Sequence, residues 1–184
     1  MPTDIPLPIR LTQTVGITSS LFFGGLAAGM SFFTIPRLLE SPTPLMLRQW
    51  RKMYIAGKHV AIPCAFLSSL SYFYLSYSSF SSTNPFAGGG GFGNRVGVAY
   101  ATAGILSVGI IPVTFAVLMP TNHKLERKEE ETRALGKSDE VVEIGIKREE
   151  TAKVLVDRWG VLNLWRAGML FTASLVGIWT SISN

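Results

Sequence analysis

The polar residues that could do chemistry gather in and beside the apolar segments of the sequence. Arg166 is the one charged residue between positions 161 and 182, and Asn163 precedes it by three positions. A helix turns by about 100° per residue, so both side chains fall on one narrow face together with Trp159. An arginine at the centre of a membrane helix costs about 2.5 to 3.5 kcal/mol. We therefore expect Asn163 and Arg166 to point into the protein; in the alternative, Arg166 reaches back to lipid headgroups.

Two histidines stand at the ends of apolar segments and are the natural proton acceptors of the chain. His59 lies just before the second segment, and His123 follows Thr121 and Asn122 at the end of the third. An imidazole takes up a proton near neutral pH, which suits a general base. A histidine in such a place is also commonly a wet interfacial residue, and both interpretations stay open.

Four long apolar segments, uncharged apart from Arg166, organise the 184-residue chain. Only 16% of the residues are charged, against about 25% in a typical soluble domain. About 20 apolar residues in a helix cross the roughly 30 Å of bilayer hydrocarbon. We expect an all-α integral membrane four-helix bundle that forms a single domain over residues 1–184. The predicted spans are about 15–36, 60–80, 96–120 and 161–182.

Proline and small residues add detail to these spans. Pro112 predicts a kink inside the third span, and Pro120 predicts its end. Gly25 and Gly29, with Gly24 and Ala28 one position before them, form two interleaved small-xxx-small pairs in the first span, which permit close helix approach. Gly177 lies on the face of Arg166 in the last span, so this face is the one expected to meet the other helices.

Basic residues are concentrated on one predicted side of the membrane. Segments 37–59 and 121–160 hold fourteen Lys and Arg residues, whereas the opposite side holds Arg10 and Arg95. The positive-inside rule then predicts cytosolic charged loops and non-cytosolic termini. The membrane is expected to be the endoplasmic reticulum or another internal one. Loop 121–160 also contains ten acidic residues and is expected to be largely helical, with ion pairs such as Glu149 to Lys153.

The same charge pattern and the scarcity of cysteine exclude several functions. Juxtamembrane positive charge finds its partner in anionic lipid headgroups, so no nucleic acid is needed to explain it. One cysteine cannot form an intrachain disulfide or a Cys-x-x-Cys redox pair, and two histidines do not complete a protein-only zinc cage. The glycine cluster at 87–93 is not preceded by a strand and is no dinucleotide fingerprint.

Several short motifs, in order, resemble a known family. They are Phe23-Gly24-Gly25-Leu26-Ala27-Ala28-Gly29 followed by Pro36; Trp50 with Tyr54 and Gly57; Met119-Pro120-Thr121-Asn122 with Leu125; and Trp159-x-x-Leu162-Asn163-x-x-Arg166. Together they cover nearly the whole chain. They are similar to the anthrone oxygenase family, small fungal membrane proteins of aromatic polyketide pathways, within a wider four-span family.

The resemblance implies oxidation of an anthrone, a polycyclic aromatic substrate, to an anthraquinone with molecular oxygen as co-substrate. It implies no metal, haem or flavin. It also implies a set of site residues: Arg166, Asn163 and Asn122 as donors to an oxyanion, His59 or His123 as the base, and Trp159 and Thr121 against the flat ring.

Two other functions remain open from the sequence. In the first, the protein is a non-enzymatic tetraspan scaffold that binds a partner through its charged loop. The polar helix face with Asn163 and Arg166 then only holds the helices together. In the second, the protein is a small transporter, which is disfavoured because only one charge lies inside a span and no pair of interrupted helices is evident.

Overall fold

Four helices make up the part of the chain that the computed structural model describes, residues 5–81, 92–133 and 151–183. No strand occurs within these ranges. The helices are α1 (Leu7–Leu39), α2 (Thr43–Phe80), α3 (Asn94–Glu131) and α4 (Ala152–Ile182). All four are long and apolar enough to cross a membrane. The prediction of an all-α, multi-pass membrane protein is therefore confirmed, whereas the single domain stays a prediction.

Each helix is longer than the membrane span predicted within it. Helices of 31 to 38 residues are about 46 to 57 Å long, well beyond the roughly 30 Å of hydrocarbon. The interpretation of segment 37–59 as a loop is wrong, because α2 already begins at Thr43. Met46, Leu47 and Trp50 are fully buried there, so a helical apolar face outweighs the charges between them.

Two of the helices contain a π-helical turn shortly before a proline. In α1 the turn Met30–Thr34 precedes Pro36, and in α3 the turn Thr114–Leu118 precedes Pro120. The prediction that the helix ends at Pro120 is wrong. After the wide turn, the proline stands in the first turn of a new α-helical segment, where its missing N–H is tolerated. The helix also passes through Pro112, as expected, without stopping.

The chain divides into two compact units. Unit 1 comprises Met1–Gly25, Ala61–Ile110 and Gly168–Asn184, and unit 2 comprises Leu26–Val60 and Ile111–Ala167. Segment 134–150, which includes Glu149 of the predicted ion pair, and most of the glycine cluster lie outside the described residues.

Buried tyrosines and hydroxyl groups form the centre of unit 1. The rings of Tyr72 and Tyr100 stack with centroids 6.4 Å apart. Ser20 contacts the Tyr72 hydroxyl at 3.0 Å and Ser174 at 2.9 Å, and Gln13 donates to the Tyr100 hydroxyl at 2.9 Å. Polar groups inside a span must be satisfied by the protein itself, and these groups satisfy one another.

Close packing in unit 1 depends on glycine at a few positions. A Cβ at Gly177 would lie 2.7 Å from the Tyr72 hydroxyl, so the predicted role of Gly177 in helix packing is confirmed. Of the two small-xxx-small pairs, Gly25 and Gly29 make no close approach, because a Cβ at either position would meet no atom of the described residues within 4 Å. The buried face of α1 instead carries Phe23 and Ala27.

Candidate active site

An aromatic cluster marks the candidate site in unit 2. Trp50 and Tyr54 lie four residues apart on α2, which places them on one helix face. Their rings are parallel, with centroids 5.4 Å apart, and Trp159 of α4 meets Trp50 edge-on at 6.1 Å. Both tryptophans are buried. The surrounding core residues are Ile35, Leu38, Met46, Leu47, Leu125, Ala152, Leu155 and Val156.

Three buried polar side chains in this cluster have no hydrogen-bond partner within the described part of the chain. They are the indole N–H groups of Trp50 and Trp159 and the amide of Asn122, which lacks a partner at both Oδ1 and Nδ2. The Tyr54 hydroxyl lies beside the Asn122 amide, but the pair does not meet hydrogen-bond geometry. An unsatisfied buried polar group costs about 1–3 kcal/mol, so three together call for an explanation.

The guanidinium of Arg166 faces the same tyrosine. Arg166 and Tyr54 interact electrostatically, and the Nε of Arg166 is shielded from solvent. The inward orientation expected from the sequence is therefore confirmed. Along α4, Leu170 on the same face is also fully buried, whereas Trp179 on the opposite face is 70% exposed. This is the side-chain distribution that the helical angles predict.

Asn163 holds a neighbouring helix. Its Nδ2 donates to the backbone carbonyl of Ala27 at 2.8 Å and to the Ser31 hydroxyl at 3.0 Å. An amide nitrogen has two N–H groups, and both are used here. The role of oxyanion donor that the resemblance implies for Asn163 therefore has no available N–H. The geometry favours a positioning role, in which Asn163 anchors α4 to α1 beside the π-helical turn Met30–Thr34.

The remaining predicted site residues divide between interior and surface. Thr121 is buried next to Asn122 on α3. His59 and His123 are both exposed, and the structure does not bring them into the buried cluster. A general base on this surface would be a wet residue, which is the alternative that the sequence left open.

Tyr54 is the residue that the sequence reasoning missed. It entered only as part of the family resemblance, because segment 37–59 was interpreted as a loop. The spacing of four residues between Trp50 and Tyr54 was the available signal, since it predicts one shared face once the segment is treated as helical.

A protein-family model matches the part of the chain that holds the aromatic and polar residues of this cluster. Residues 50–176 match the family model described as anthrone oxygenase. The chain belongs to the anthrone oxygenase family. The matched region contains every aromatic and polar residue of the cluster, from Trp50 on α2 to Arg166 on α4. Ala27 and Ser31, which hold Asn163, lie outside it.

Curated relatives extend the similarity over nearly the full length of this family member. Anthrone oxygenase AgnL2 of Paecilomyces divaricatus is 29% identical over 168 residues, which are 90% of this chain and 92% of the relative. Anthrone oxygenase encC of Aspergillus fumigatus is 23% identical over 94% of this chain and 93% of the relative. Noranthrone monooxygenase of Aspergillus flavus is 25% identical over 91% of this chain and 71% of the relative. No solved structure matches the chain.

These findings confirm the family that the sequence motifs predict. They also favour an enzyme over the non-enzymatic tetraspan scaffold, since the curated relatives carry oxygenase names. For an anthrone oxygenase, a buried aromatic cluster with unpaired polar groups is a suitable candidate active site, because its substrate is a flat aromatic ketone.

Proposed function

We propose that this protein oxidises an anthrone to the corresponding anthraquinone with molecular oxygen, in aromatic polyketide biosynthesis and without a metal or organic cofactor. The observation that carries the proposal is the buried amide of Asn122, whose oxygen and nitrogen both lack a partner within the described residues. It lies in a cluster whose other members are two tryptophans, a tyrosine and an arginine. Such a cluster suits a flat ring system that carries oxygen atoms.

The chemistry asks little of a protein beyond proton transfer and charge stabilisation. An anthrone has an acidic CH₂ group opposite a ketone on its central ring. Loss of one proton gives an enolate with its charge largely on the ketone oxygen. The electron-rich carbon passes an electron to oxygen and combines with it to form a hydroperoxide. Loss of water then leaves a second carbonyl. One molecule of oxygen is consumed, one of water is released, and CH₂ becomes C=O.

Arg166, Tyr54 and Asn122 supply the charge stabilisation in this proposal. Each has N–H or O–H groups that can donate to the developing oxyanion, and Arg166 adds a positive charge. Donors held in place before the reaction stabilise the enolate without reorganisation, and burial strengthens the effect. The stack on Trp50 fixes the ring of Tyr54, so its hydroxyl stays beside Arg166. Trp159 and Thr121 contact the substrate ring.

The proton acceptor in the proposal is His59 or His123, acting from the exposed surface. Because both side chains are exposed, buffer can replace either one as acceptor. We therefore assign the larger part of the rate acceleration to enolate stabilisation and the smaller part to the base.

The proposed membrane is the endoplasmic reticulum or another internal membrane. The fourteen Lys and Arg residues of segments 37–59 and 121–160 support cytosolic placement of both segments, with the termini on the other side. A cytosolic synthase could then deliver substrate directly. In a Cys64→Ser background, an impermeant thiol reagent added to sealed microsomes should label Arg127→Cys but not Asn94→Cys. Labelling of both would contradict this orientation.

Oxygen uptake by protein reconstituted in vesicles tests the activity. With an anthrone such as emodin anthrone, uptake should exceed the spontaneous rate measured with empty vesicles. Asn122→Ala should lower the protein-dependent rate about tenfold or more, because one oxyanion donor is lost. The matched control is Asn94→Ala, an exposed asparagine at the start of α3, which should keep the rate. No acceleration by the wild-type protein would overturn the proposed function.

A further inference from the structure

A concave site lies on the charged surface of unit 2, apart from the aromatic cluster. It is a groove of ≈ 520 Å³ between the first turns of α2 and the end of α3. Its lining residues are Leu45, Arg48, Gln49, Arg51, Lys52, Ile55, Glu129 and Arg133. Four of the eight are cationic and one is anionic, so the groove has a formal charge of +3 at neutral pH.

The charges of the groove are held in a fixed arrangement. Glu129 forms ion pairs with both Arg51 and Arg133, the latter at 3.1 Å, and its side chain is only 6% exposed. Arg48 donates to the backbone carbonyl of Arg133 at 2.9 Å. A guanidinium has five N–H donors, so one carboxylate does not saturate two arginines. Lys52 is exposed and adds a further ammonium group. The groove therefore presents a preorganised set of donors to an anion.

The position of the groove along α2 relates it to the membrane surface. Lys52 precedes Val60, where the uncharged segment begins, by eight residues, or about 12 Å of helix. The headgroup layer adds about 5 to 8 Å on each side of the hydrocarbon. A lysine side chain reaches about 6 Å beyond its Cα, so the ammonium group of Lys52 can reach this layer. Ile55, on the wall of the groove, is 44% exposed and lies nearer the hydrocarbon.

We propose that this groove binds the phosphate of an anionic phospholipid, with the acyl chain against Ile55. An anionic headgroup neutralises the excess positive charge of the groove. The exposed apolar wall beside the cations fits an amphiphile better than an acidic protein segment, which would leave Ile55 uncovered. Anionic lipids are abundant in the cytoplasmic leaflet, which the proposed orientation places on this side. The site is independent of the proposed oxidation and can exist whether or not that activity is found.

Native mass spectrometry of the full chain in detergent tests the proposal. Titration with phosphatidylserine and phosphatidylcholine should show at least tenfold tighter binding of the anionic lipid. Lys52→Gln should weaken phosphatidylserine binding about fivefold, the effect of one cation near an anionic headgroup. The matched control is Lys153→Gln, which removes an exposed lysine that lies outside the groove and, like Lys52, eight residues before an apolar segment. It should leave the affinity within twofold.

Several results would overturn the proposal. These are equal binding of the two lipids, or equal effects of Lys52→Gln and Lys153→Gln. Competition by millimolar inorganic phosphate that matches competition by the lipid would assign the groove to free phosphate instead. Competition by polyglutamate as strong as by phosphatidylserine would assign it to an acidic protein. Because every readout is binding, a failure here leaves the proposed oxidation untouched.

Discussion

The side-chain amide of Asn163 donates to the backbone carbonyl of Ala27 at 2.8 Å, which joins α4 to α1 inside unit 2. The carbonyl lies just before the π-helical turn Met30–Thr34, where the regular ladder of helix hydrogen bonds is interrupted. The same amide donates to Ser31 at 3.0 Å. The two hydrogen bonds of Asn163 form a joint between α4 and α1. Because Asn163 is one helical turn from both Trp159 and Arg166, this joint fixes the part of α4 that carries the candidate site.

Loss of this joint should reduce stability. Asn163→Ala removes two hydrogen bonds and leaves the buried Ala27 carbonyl without the amide donor, so we expect a loss of about 1–3 kcal/mol. Ser31→Ala removes the bond from Asn163 and the longer bond, 3.3 Å, from the Ser31 hydroxyl to the Ala27 carbonyl. It keeps the bond from Asn163 to the Ala27 carbonyl and should cost less. Thermal unfolding in detergent measures both, and a double-mutant cycle should show coupling. An unchanged unfolding temperature in Asn163→Ala would mean that the joint contributes nothing.

Tyr54→Phe separates the hydroxyl of the tyrosine from its ring. The phenylalanine keeps the stack on Trp50, so the unfolding temperature should stay within a few degrees of wild type. The hydroxyl beside Arg166 is lost, and the rate of anthrone-dependent oxygen uptake should fall about tenfold or more. Tyr77→Phe is the control, because Tyr77 is 74% exposed in unit 1 and should keep full activity. Wild-type activity in Tyr54→Phe would remove the hydroxyl from the mechanism.

The two histidines should contribute little individually. His59→Gln and His123→Gln should each retain more than half of the activity, because both side chains are exposed and buffer can accept the proton in their place. The double variant should be partly rescued by a higher concentration of imidazole buffer. A single substitution that abolishes activity without rescue would identify that histidine as an indispensable base.

Glycine substitutions test the packing of unit 1 with an internal control. Gly177→Ala would place a methyl group 2.7 Å from the Tyr72 hydroxyl, and overpacking of this kind costs about 1–3 kcal/mol. Gly168→Ala lies on the same helix, and no atom of the described part of the chain is within 4 Å of its new Cβ, so it should be neutral or slightly stabilising. Equal unfolding temperatures for the two variants would contradict the packing described for Tyr72.

Much of the fold follows from the sequence because membrane spans have a simple requirement. Twenty apolar residues in a row leave helix as the available solution in lipid, and all four helices were predicted. Their ends were not, because the extensions beyond the bilayer depend on burial of Met46, Leu47 and Trp50 among charged neighbours. The passage of α3 through Pro120 was also missed, since only the π-helical turn before it makes that proline acceptable.

The candidate site was predicted in part. Helical angles on α4 correctly turned Arg166 inward, since period alone decides which residues share a face. They could not distinguish an amide that binds substrate from one that binds a backbone carbonyl. The two hydrogen bonds of Asn163 depend on where α1 approaches α4, which no local pattern states. Tyr54 was overlooked for the same reason, because its neighbours Asn122 and Arg166 come from distant parts of the chain.

In the proposed reaction, the guanidinium of Arg166 stabilises the enolate of an anthrone within the buried cluster. The most direct test is oxygen uptake by reconstituted Arg166→Ala and Arg166→Lys proteins that are matched for membrane insertion and unfolding temperature. We predict that Arg166→Ala falls to the spontaneous rate and that Arg166→Lys keeps a measurable part of the acceleration, since a positive charge remains. An Arg166→Ala protein that consumes oxygen with the anthrone as fast as wild type would contradict a role of the guanidinium in the reaction.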